Sequence, residues 1–379
     1  MLLGCGQACL AAAYRPLSNT ATVSLLTCAP GSETYALFGH SALRVADPVC
    51  GVDRVYNYGT FDFQTPHFYW RFLRGDLRYF LSVTSFGAFQ AAYQQENRTL
   101  SEQVLALRPS EAQRIYDRLE TTLHSPARYY RYQFFADNCT TRLFALVSSS
   151  AAAPVQLDSS YAGASRTYRQ LLAPCLAPAP WVNLGMNLGL GWPADQPTTF
   201  RQRLFLPTEL QAALAHATRQ QRPFVALERQ LFVSTPQLAK EGWPWFTPTF
   251  FLLGLGALVL VARRLPARYA FVSRGLRGGL FAAIGLIGWI LLGLNLFSLH
   301  TPAHGNYQLL WLLPTHLGLA FARPSPRWRR YATVSLALSV LGGLLGSALY
   351  YARSLPEAEL LLALLLVQLW LFRHQCAAA

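Results

Sequence analysis

A histidine and a cysteine, far apart in the chain, are the side chains best suited to nucleophilic chemistry. His40 lies in "FGHSALRV", where a predicted strand begins, and Cys139 lies in "FFADNCTTRL", where a predicted helix begins. A cysteine at a helix N-terminus feels the positive end of the helix dipole, which favours the reactive thiolate. A neighbouring histidine can hold the proton, and the N–H groups of the helix start can bind a developing oxyanion. We therefore predict one Cys–His site.

Each of these two residues also has an ordinary interpretation. A cysteine is often a small buried hydrophobe, and a histidine is often a hydrogen-bonded core residue. A metal site is a third alternative, but the sequence has neither C-x-x-C nor H-E-x-x-H, and its histidines are scattered. We therefore predict no metal and no cofactor.

The elements around the pair predict an α+β domain. "TATVSLLTCAP", "HSALRV" and "RVYNYGTF" are typical of strands, the last two forming a hairpin, and "SEAQRIYDRLETTL" is typical of a helix. With the histidine before the cysteine, the arrangement is the permuted papain-like (NlpC/P60-like) one. Asn57 or Tyr58, on the second hairpin strand, is expected to orient the imidazole. Asn138 can cap the helix and contact substrate, and Arg142, one turn later, can meet a phosphate.

Four of the seven cysteines are expected outside the cell membrane: Cys28, Cys50, Cys139 and Cys175. An exported domain lies in an oxidising compartment, so Cys139 in a structural disulfide is an open alternative. A bridge from Cys28 or Cys50 to Cys175 is compatible with a free Cys139 thiol.

The C-terminal part of the chain predicts an all-α membrane domain. The 379 residues are 52% hydrophobic and only 13% charged, against about 25% charged in ordinary soluble domains. Five apolar stretches approach the length of about 20 residues that crosses the hydrocarbon. They are Trp245–Ala262, Gly278–Leu299, Tyr307–Ala322, Tyr331–Tyr350 and Ala358–Phe372.

The arginines between these stretches predict the orientation. The loops after the first and third stretches are rich in arginine, whereas the loop after the second has no Lys or Arg. The positive-inside rule places the arginine-rich loops and the C-terminus in the cytoplasm and the N-terminal domain outside. The net charge of +14 therefore reflects membrane orientation, and without a nucleic-acid-binding motif we exclude nucleic acid as a partner.

We predict three regions in the chain. Residues 1–20 resemble a signal segment, 21–240 form the extracytoplasmic catalytic domain with a Pro-rich extension, and 243–379 form the membrane domain. The loop "SLHTPAHGNYQ" carries His304 and Asn306 and emerges on the side of the catalytic domain. We expect it to border the access route for lipid and to contact substrate.

Several blocks resemble one family. "LLTCAPGSETYALFGHSALRV", "YNYGTFDFQTPHFYWRFLRGDLRYFLSV", "YYRYQFFADNCTTRL" and "LGMNLGLGWPADQPTTFRQRLFLP" are similar to the periplasmic domain of the Lnb-type lipoprotein N-acyltransferases, and "HGNYQLLWLLPTH" is similar to their transmembrane part. The resemblance implies that His40 and Cys139 are the active-site pair. It implies a multi-pass protein of the bacterial inner membrane, with its catalytic domain in the periplasm. That enzyme moves an acyl chain from phospholipid, through a Cys139 thioester, to the α-amino group of a diacylated lipoprotein.

Two other functions remain open on the residues alone. A membrane-tethered papain-like peptidase or amidase acting on the cell envelope would use the same fold and pair. A non-enzymatic envelope scaffold would not need His40 and Cys139 to meet. A single tethering span would favour the first, and a wide separation of the two side chains would favour the second.

Overall fold

The computed structural model describes residues 16–235, 246–349 and 356–378. Most of the signal-like segment and the predicted start of the first apolar stretch at Trp245 lie outside these ranges. The described chain packs as two compact units. Unit 1 takes the residues up to Phe68, Asp76–Ala164, and those from Thr199 to the end of the first range. Unit 2 takes Tyr69–Gly75, Ser165–Thr198 and the C-terminal helices.

Unit 1 is built on an antiparallel sheet of seven strands in the order β6-β4-β3-β2-β1-β5-β9. The strands are β1 (Thr22–Cys28), β2 (His40–Asp47), β3 (Val52–Thr60), β4 (Arg78–Ser85), β5 (Leu100–Leu105), β6 (Tyr129–Arg131), the short pair β7 (Thr218–Arg219) and β8 (Arg222–Pro223), and β9 (Val225–Phe232). The predicted hairpin is β2–β3, with Leu43 paired to Tyr56.

Helices cover both faces of this sheet. The helices outside the C-terminal region are α1 (Phe68–Arg74), α2 (Phe86–Gln95), α3 (Pro109–Leu123), α4 (Cys139–Ser150), α5 (Tyr168–Leu176), α6 (Pro180–Gly189), α7 (Phe200–Arg203) and α8 (Pro207–Ala215). Of these, α5, α6 and all of α1 except Phe68 belong to unit 2. On one face, Ile115 of α3 and Leu143 of α4 are buried with Leu43 and Tyr56. On the other, Phe89 of α2 covers a second, smaller cluster. Because strand residues alternate between faces, β1, β2, β3 and β5 each contribute to both clusters, and the α+β class is as expected.

The C-terminal part of unit 2 is helical and apolar. Its helices are α9 (Pro248–Arg263), α10 (Ala270–Phe297), α11 (His316–Leu319), α12 (Pro326–Leu349) and α13 (Pro356–Ala378). Within the described residues, two helical stretches are long and apolar enough to cross a membrane, Ala267–Phe297 and Glu357–Ala377, and Pro248–Arg263 is a shorter apolar helix.

The third apolar stretch corrects the prediction of a single helix. Residues Tyr307–Leu310 form a 3-10 turn and His316–Leu319 a short α-helix, with irregular backbone between them. Pro314 lacks the N–H that a continuous helix needs. A Cβ at Gly288 would lie 2.3 Å from the carbonyl oxygen of Leu312, so glycine lets this irregular segment pack directly against α10.

Candidate active site

His40 is the first residue of β2, and a glycine places it there. Gly39 has φ +75°, the left-handed conformation that favours glycine. A Cβ at this position would lie 2.6 Å from the carbonyl oxygen of Cys28. Cys28 is also the cross-strand partner of His40. The turn therefore works only with glycine, and it delivers His40 to the end of the sheet.

Cys139 is the first residue of α4, and Asn138 is the N-cap that starts this helix. The Asn138 side-chain oxygen accepts a hydrogen bond from the Thr141 N–H at 2.9 Å, and the Thr141 hydroxyl accepts from the Asn138 N–H at 2.9 Å. The Asn138 amide also donates to the carbonyls of Phe134 and Phe205. Asn138 is buried with these hydrogen bonds formed, and its contact with substrate stays a prediction. Its role is to cap α4 and fix the position of Cys139.

The thiol of Cys139 and the imidazole of His40 interact directly, through charge and through a hydrogen bond. Burial opposes ionisation of the thiol. It is outweighed by His40, by the backbone N–H of Ser41 and by the Thr140 hydroxyl, so the pKa of Cys139 falls from 9.0 to about 7. Burial likewise opposes the imidazolium, but Cys139 and Asn57 outweigh it and raise the pKa of His40 above 6.5. Both shifts favour a thiolate–imidazolium pair near neutral pH.

Asn57 is the residue that orients this imidazole. Its side-chain oxygen lies 3.2 Å from Nε2 of His40. An Asn oxygen only accepts hydrogen bonds, so Nε2 carries the proton of the neutral ring and Nδ1 is left to face the thiol. Tyr58, the alternative, follows Asn57 on β3 and packs in the core against Tyr130, with its hydroxyl bonded to Thr122. Adjacent strand residues point to opposite faces, so of the two residues expected at the ring Asn57 is the one that contacts it.

Two residues near the thiol were not expected. Gly59, with φ +89°, lies in the β-bulge of β3 between Asn57 and Thr60, and a Cβ there would lie 3.4 Å from Cβ of Cys139, so its missing side chain leaves room for Cys139. Tyr132 hydrogen-bonds to Cys139 and stacks on Tyr79 with ring centroids 4.3 Å apart. Burial first, and then the charge of Cys139, raises the pKa of Tyr132 well above 10.0. In the sequence Tyr132 is one of several aromatic residues in "YYRYQFF", and no sequence feature distinguishes it from the others.

Arg142 does not present a free cation. Its guanidinium makes a bidentate pair with Asp137, at 2.6 and 2.7 Å, and lies 3.5 Å from the ring centroid of Tyr130. A carboxylate thus already occupies the fork that a phosphate would use. Arg142 thereby fixes the loop that precedes α4, and its contact with a phosphate stays a prediction.

His304 and Asn306 belong to unit 2, where both hold the backbone of the chain. Nε2 of His304 lies 2.8 Å from the carbonyl oxygen of Ser298, and the Asn306 amide donates to the carbonyl of Leu188 at 2.7 Å. Asn306 is buried, and its side-chain oxygen accepts from the N–H of Gln308. These contacts fix the local backbone, and a contact of either residue with substrate stays a prediction.

The cysteines and other polar groups can also be placed. Five cysteines in the described residues are free thiols: Cys28, Cys50, Cys139, Cys175 and Cys376. The bridge from Cys28 or Cys50 to Cys175 is therefore absent here, and Cys139 is not lost to a disulfide. Over the same described residues, no cluster of three or more His, Cys, Asp or Glu side chains is arranged to hold a metal ion.

Comparison with known proteins identifies the family. The model of the Lnb N-terminal periplasmic domain matches residues 13–173, and that of the Lnb transmembrane domain matches residues 239–376. No curated protein and no solved structure gives a match. Both domains of one family follow each other along one chain, and they leave only its ends and a central segment unmatched. The chain therefore belongs to the Lnb family and is a membrane protein with a periplasmic N-terminal domain.

Proposed function

We propose that this protein is a lipoprotein N-acyltransferase that works through a Cys139 thioester. The observation that carries the proposal is the Cys139 thiol at the start of α4. It has a lowered pKa and interacts with a His40 that Asn57 orients. The Lnb periplasmic and transmembrane domains supply the context, since this family suggests a lipoprotein substrate and a membrane setting.

The first half-reaction loads the acyl group. The Cys139 thiolate attacks an ester carbonyl of a phospholipid, and the first N–H groups of α4, which have no acceptor within the helix, can bind the oxyanion. The ester C–O bond then breaks, and the His40 imidazolium gives its proton to the leaving lysophospholipid hydroxyl. The acyl chain is left as a thioester on Cys139.

The second half-reaction transfers the acyl group from Cys139 to the lipoprotein. The α-amino group of the diacylglyceryl cysteine attacks the thioester carbonyl while neutral His40 removes a proton from the nitrogen. The C–S bond breaks, an amide forms, and the Cys139 thiolate and the His40 imidazolium are restored together. Amines attack thioesters readily, but water would divert the acyl group to a free fatty acid. The site therefore needs an apolar surrounding.

Aromatic rings connect the thiol with the surface of unit 1, which supports a lipid substrate. Tyr132 contacts Cys139 and stacks on Tyr79, and Tyr79 lies 5.3 Å from Phe61 by ring centroids. Phe61 in turn contacts Phe63, which is 57% exposed. A continuous aromatic path of this kind suits an acyl chain better than the polar backbone of a peptide.

We extend the proposal to the fold and topology. Unit 1 is taken as a permuted papain-like domain because His40 precedes Cys139 and is oriented by an Asn, the Cys-His-Asn set of papain-like enzymes. The membrane domain is taken to cross the inner membrane five times, with its C-terminus in the cytoplasm. The irregular stretch counts as a crossing because Asn306 contacts Asn295 and Ala320 packs on Gly278. Asn295 and Gly278 lie about 26 Å apart along α10, which is close to the hydrocarbon thickness of a bilayer.

Mass spectrometry of lipoprotein N-termini tests the function. We expect triacylated N-termini in cells that make this protein as their only N-acyltransferase, and diacylated ones with Cys139→Ser. Cys50→Ser is the matched control, because Cys50 is a partly exposed thiol whose hydrogen bond to the Pro16 carbonyl a serine hydroxyl can also make.

Detection of the Cys139 thioester distinguishes acyl transfer from the two alternative functions, a peptidase and a scaffold. Purified protein in vesicles with acyl-labelled phospholipid should carry a hydroxylamine-sensitive label that Cys139→Ser lacks, and a diacylated lipopeptide should discharge it. A protein that cleaves envelope peptides and takes no label would be the membrane-tethered hydrolase instead. Absence of both activities in folded protein would favour a scaffold.

A further inference from the structure

The short helix α1 exposes an unusual number of large apolar side chains. Tyr69 is 76% exposed and Trp70 is 65% exposed, and Phe72 and Leu73 are also exposed. Arg71 and Arg74 lie in the same turns, and Arg74 is exposed. Aromatic residues mixed with arginine in this way are typical of segments at the boundary between lipid and water.

The C-terminal end of α1 is held by the segment that follows α10. The last carbonyls of a helix have no partner within it, and here they accept from Ser298–His300. The Leu299 N–H donates to the Arg74 carbonyl at 2.7 Å, and the Ser298 hydroxyl donates to the Leu73 carbonyl at 3.1 Å. Nε2 of His300 lies 2.8 Å from the Phe72 carbonyl oxygen.

A glycine allows this close contact. Gly75, with φ +75°, follows α1, and a Cβ there would lie 3.2 Å from the backbone nitrogen of His300. The Phe72 ring also meets the His300 ring edge-on, with centroids 6.4 Å apart. Three hydrogen bonds, a ring contact and a glycine thus fix α1 at the C-terminal end of α10.

The position of α10 determines what surrounds α1. The stretch Ala267–Phe297 is long and apolar enough to cross a membrane, and at its C-terminal end Leu296 and Phe297 are still exposed. A helix fixed to Ser298–His300 therefore lies where the hydrocarbon gives way to head groups. In water, exposed Tyr69, Trp70 and Phe72 would be unfavourable, but at that depth their apolar rings meet lipid and their polar edges meet water.

We propose that α1 is an interfacial helix that lies among the phospholipid head groups at the C-terminal end of α10, which is the outer leaflet in the topology given above. Its aromatic rings insert into the leaflet, and the exposed Arg74 side chain reaches lipid phosphates. The chain of unit 1 leaves β3, passes through this helix and returns in β4. The loop residue His300 serves as a cap for α1.

Fluorescence quenching by brominated phospholipids tests this placement without reference to acyl transfer. The full protein is placed in vesicles with bromine near the head-group end of the chains or deep in the bilayer. Nine tryptophans contribute, so the signal of Trp70 is the difference between wild type and Trp70→Phe. We expect this difference to be quenched more by the shallow bromine than by the deep one. An unquenched Trp70 signal would overturn the proposal.

Hydrogen exchange checks the role assigned to the cap. In lipid nanodiscs, His300→Ala should increase amide exchange in residues 69–75 several-fold, because the Phe72 carbonyl loses the His300 ring and keeps only the Gly75 N–H as a partner. His124→Ala is the control, since His124 is an exposed histidine of unit 1 that contacts Glu120. Equal exchange of residues 69–75 in both variants would show that His300 does not hold the helix.

Discussion

At the scale of single residues, the amide of Asn57 decides which nitrogen of His40 faces the thiol. Asn57→Ala leaves the ring free to rotate and to change tautomer. We expect acyl transfer to fall by roughly 10²-fold, as small misplacements of catalytic groups do, with little change in KM. Steady-state rates with a diacylated lipopeptide measure this.

Tyr58→Phe is the matched control for Asn57→Ala. It alters the next residue on β3 and removes only the hydroxyl that bonds Thr122. It should lower stability by about 1 kcal/mol and leave the transfer rate near that of wild type. Equal losses of rate in both variants would mean that Asn57 acts through the fold rather than on the imidazole.

The ionisation of Cys139 predicts a pH dependence. Because the pKa of the thiol falls to about 7, its alkylation by iodoacetamide should rise through pH 7, whereas an ordinary cysteine rises near pH 8.5. Acyl transfer should fall as the pH drops below about 7, since the thiolate is protonated. It should fall again above the raised pKa of His40, where the proton donor is lost.

Removal of the histidine checks the cause of that shift. In His40→Ala the thiol loses its main favourable interaction, so the midpoint of alkylation should move above pH 7. Labelling of Cys139→Ser is subtracted to remove the other thiols. A midpoint that stays at pH 7 in His40→Ala would assign the shift to the helix start and the Ser41 N–H.

The sequence identifies only part of the site at this scale. His40 and Cys139 stand at element starts next to turn and cap residues, a local pattern that sequence reasoning can find. The choice between Asn57 and Tyr58 needs only strand alternation and the face of His40. The roles of Tyr132 and of Asp137, the partner of Arg142, could not be predicted. Irregular loop backbone positions both side chains, and such backbone has no sequence periodicity.

At the scale of elements, the turn before β2 is the most constrained part of the site. Gly39→Ala places a Cβ against the Cys28 carbonyl in a left-handed residue. The conformation alone costs about 1–2 kcal/mol, and the clash adds about 1–3 kcal/mol. We expect a lower thermal midpoint and, because His40 must shift, loss of most acyl transfer in the protein that remains folded.

Gly51→Ala separates these two effects. Gly51 also has a left-handed φ, of +66°, but nothing lies within 4 Å of the added Cβ. It should show only the conformational cost, about 1–2 kcal/mol, and keep its transfer rate. If Gly39→Ala were no more harmful than Gly51→Ala, the turn would not be what positions His40.

Elements were predictable where local composition and capping residues mark them. The strand-typical segments of β2 and β3 and the cap before α4 predicted the hairpin and the helix that carry the site. The third apolar stretch, Tyr307–Ala322, was misjudged because apolar composition does not distinguish a helix from irregular backbone. The irregular backbone can pack directly against α10 because Gly285 and Gly288 carry no side chain at the contact. A hydropathy profile does not show such a contact.

At the scale of the whole molecule, the predicted contiguous regions differ from the packing units. Tyr69–Gly75 and Ser165–Thr198 group with the C-terminal helices, although the catalytic domain was expected to take all of residues 21–240. The Asn306 amide bonds to the Leu188 carbonyl, and Gly191 has no room for a Cβ beside the His304 carbonyl. Contacts between residues so far apart in sequence leave no local sequence pattern. The predicted domain boundary therefore rested on the change in composition alone.

The assembly of unit 2 depends on the close approach of the irregular stretch to α10. Gly288→Ala would place a Cβ 2.3 Å from the Leu312 carbonyl oxygen and 2.8 Å from the Pro314 nitrogen. Since backbone cannot move aside as a side chain can, the stretch should separate from α10. We expect a clearly lower thermal midpoint in detergent and less protein in the membrane, although alanine is the better helix former.

Gly293→Ala is the matched control on the same helix. Nothing lies within 4 Å of its added Cβ, so the variant should be as stable as wild type or slightly more stable. Gly285→Ala, with a Cβ 2.3 Å from the Leu317 nitrogen, should behave like Gly288→Ala. Thermal scans of the three variants at equal protein and detergent concentration show whether Gly288→Ala and Gly285→Ala melt at a lower temperature than Gly293→Ala. If all three melted together, the stretch would not be held by this contact, and its crossing beside α10 would lose its physical basis.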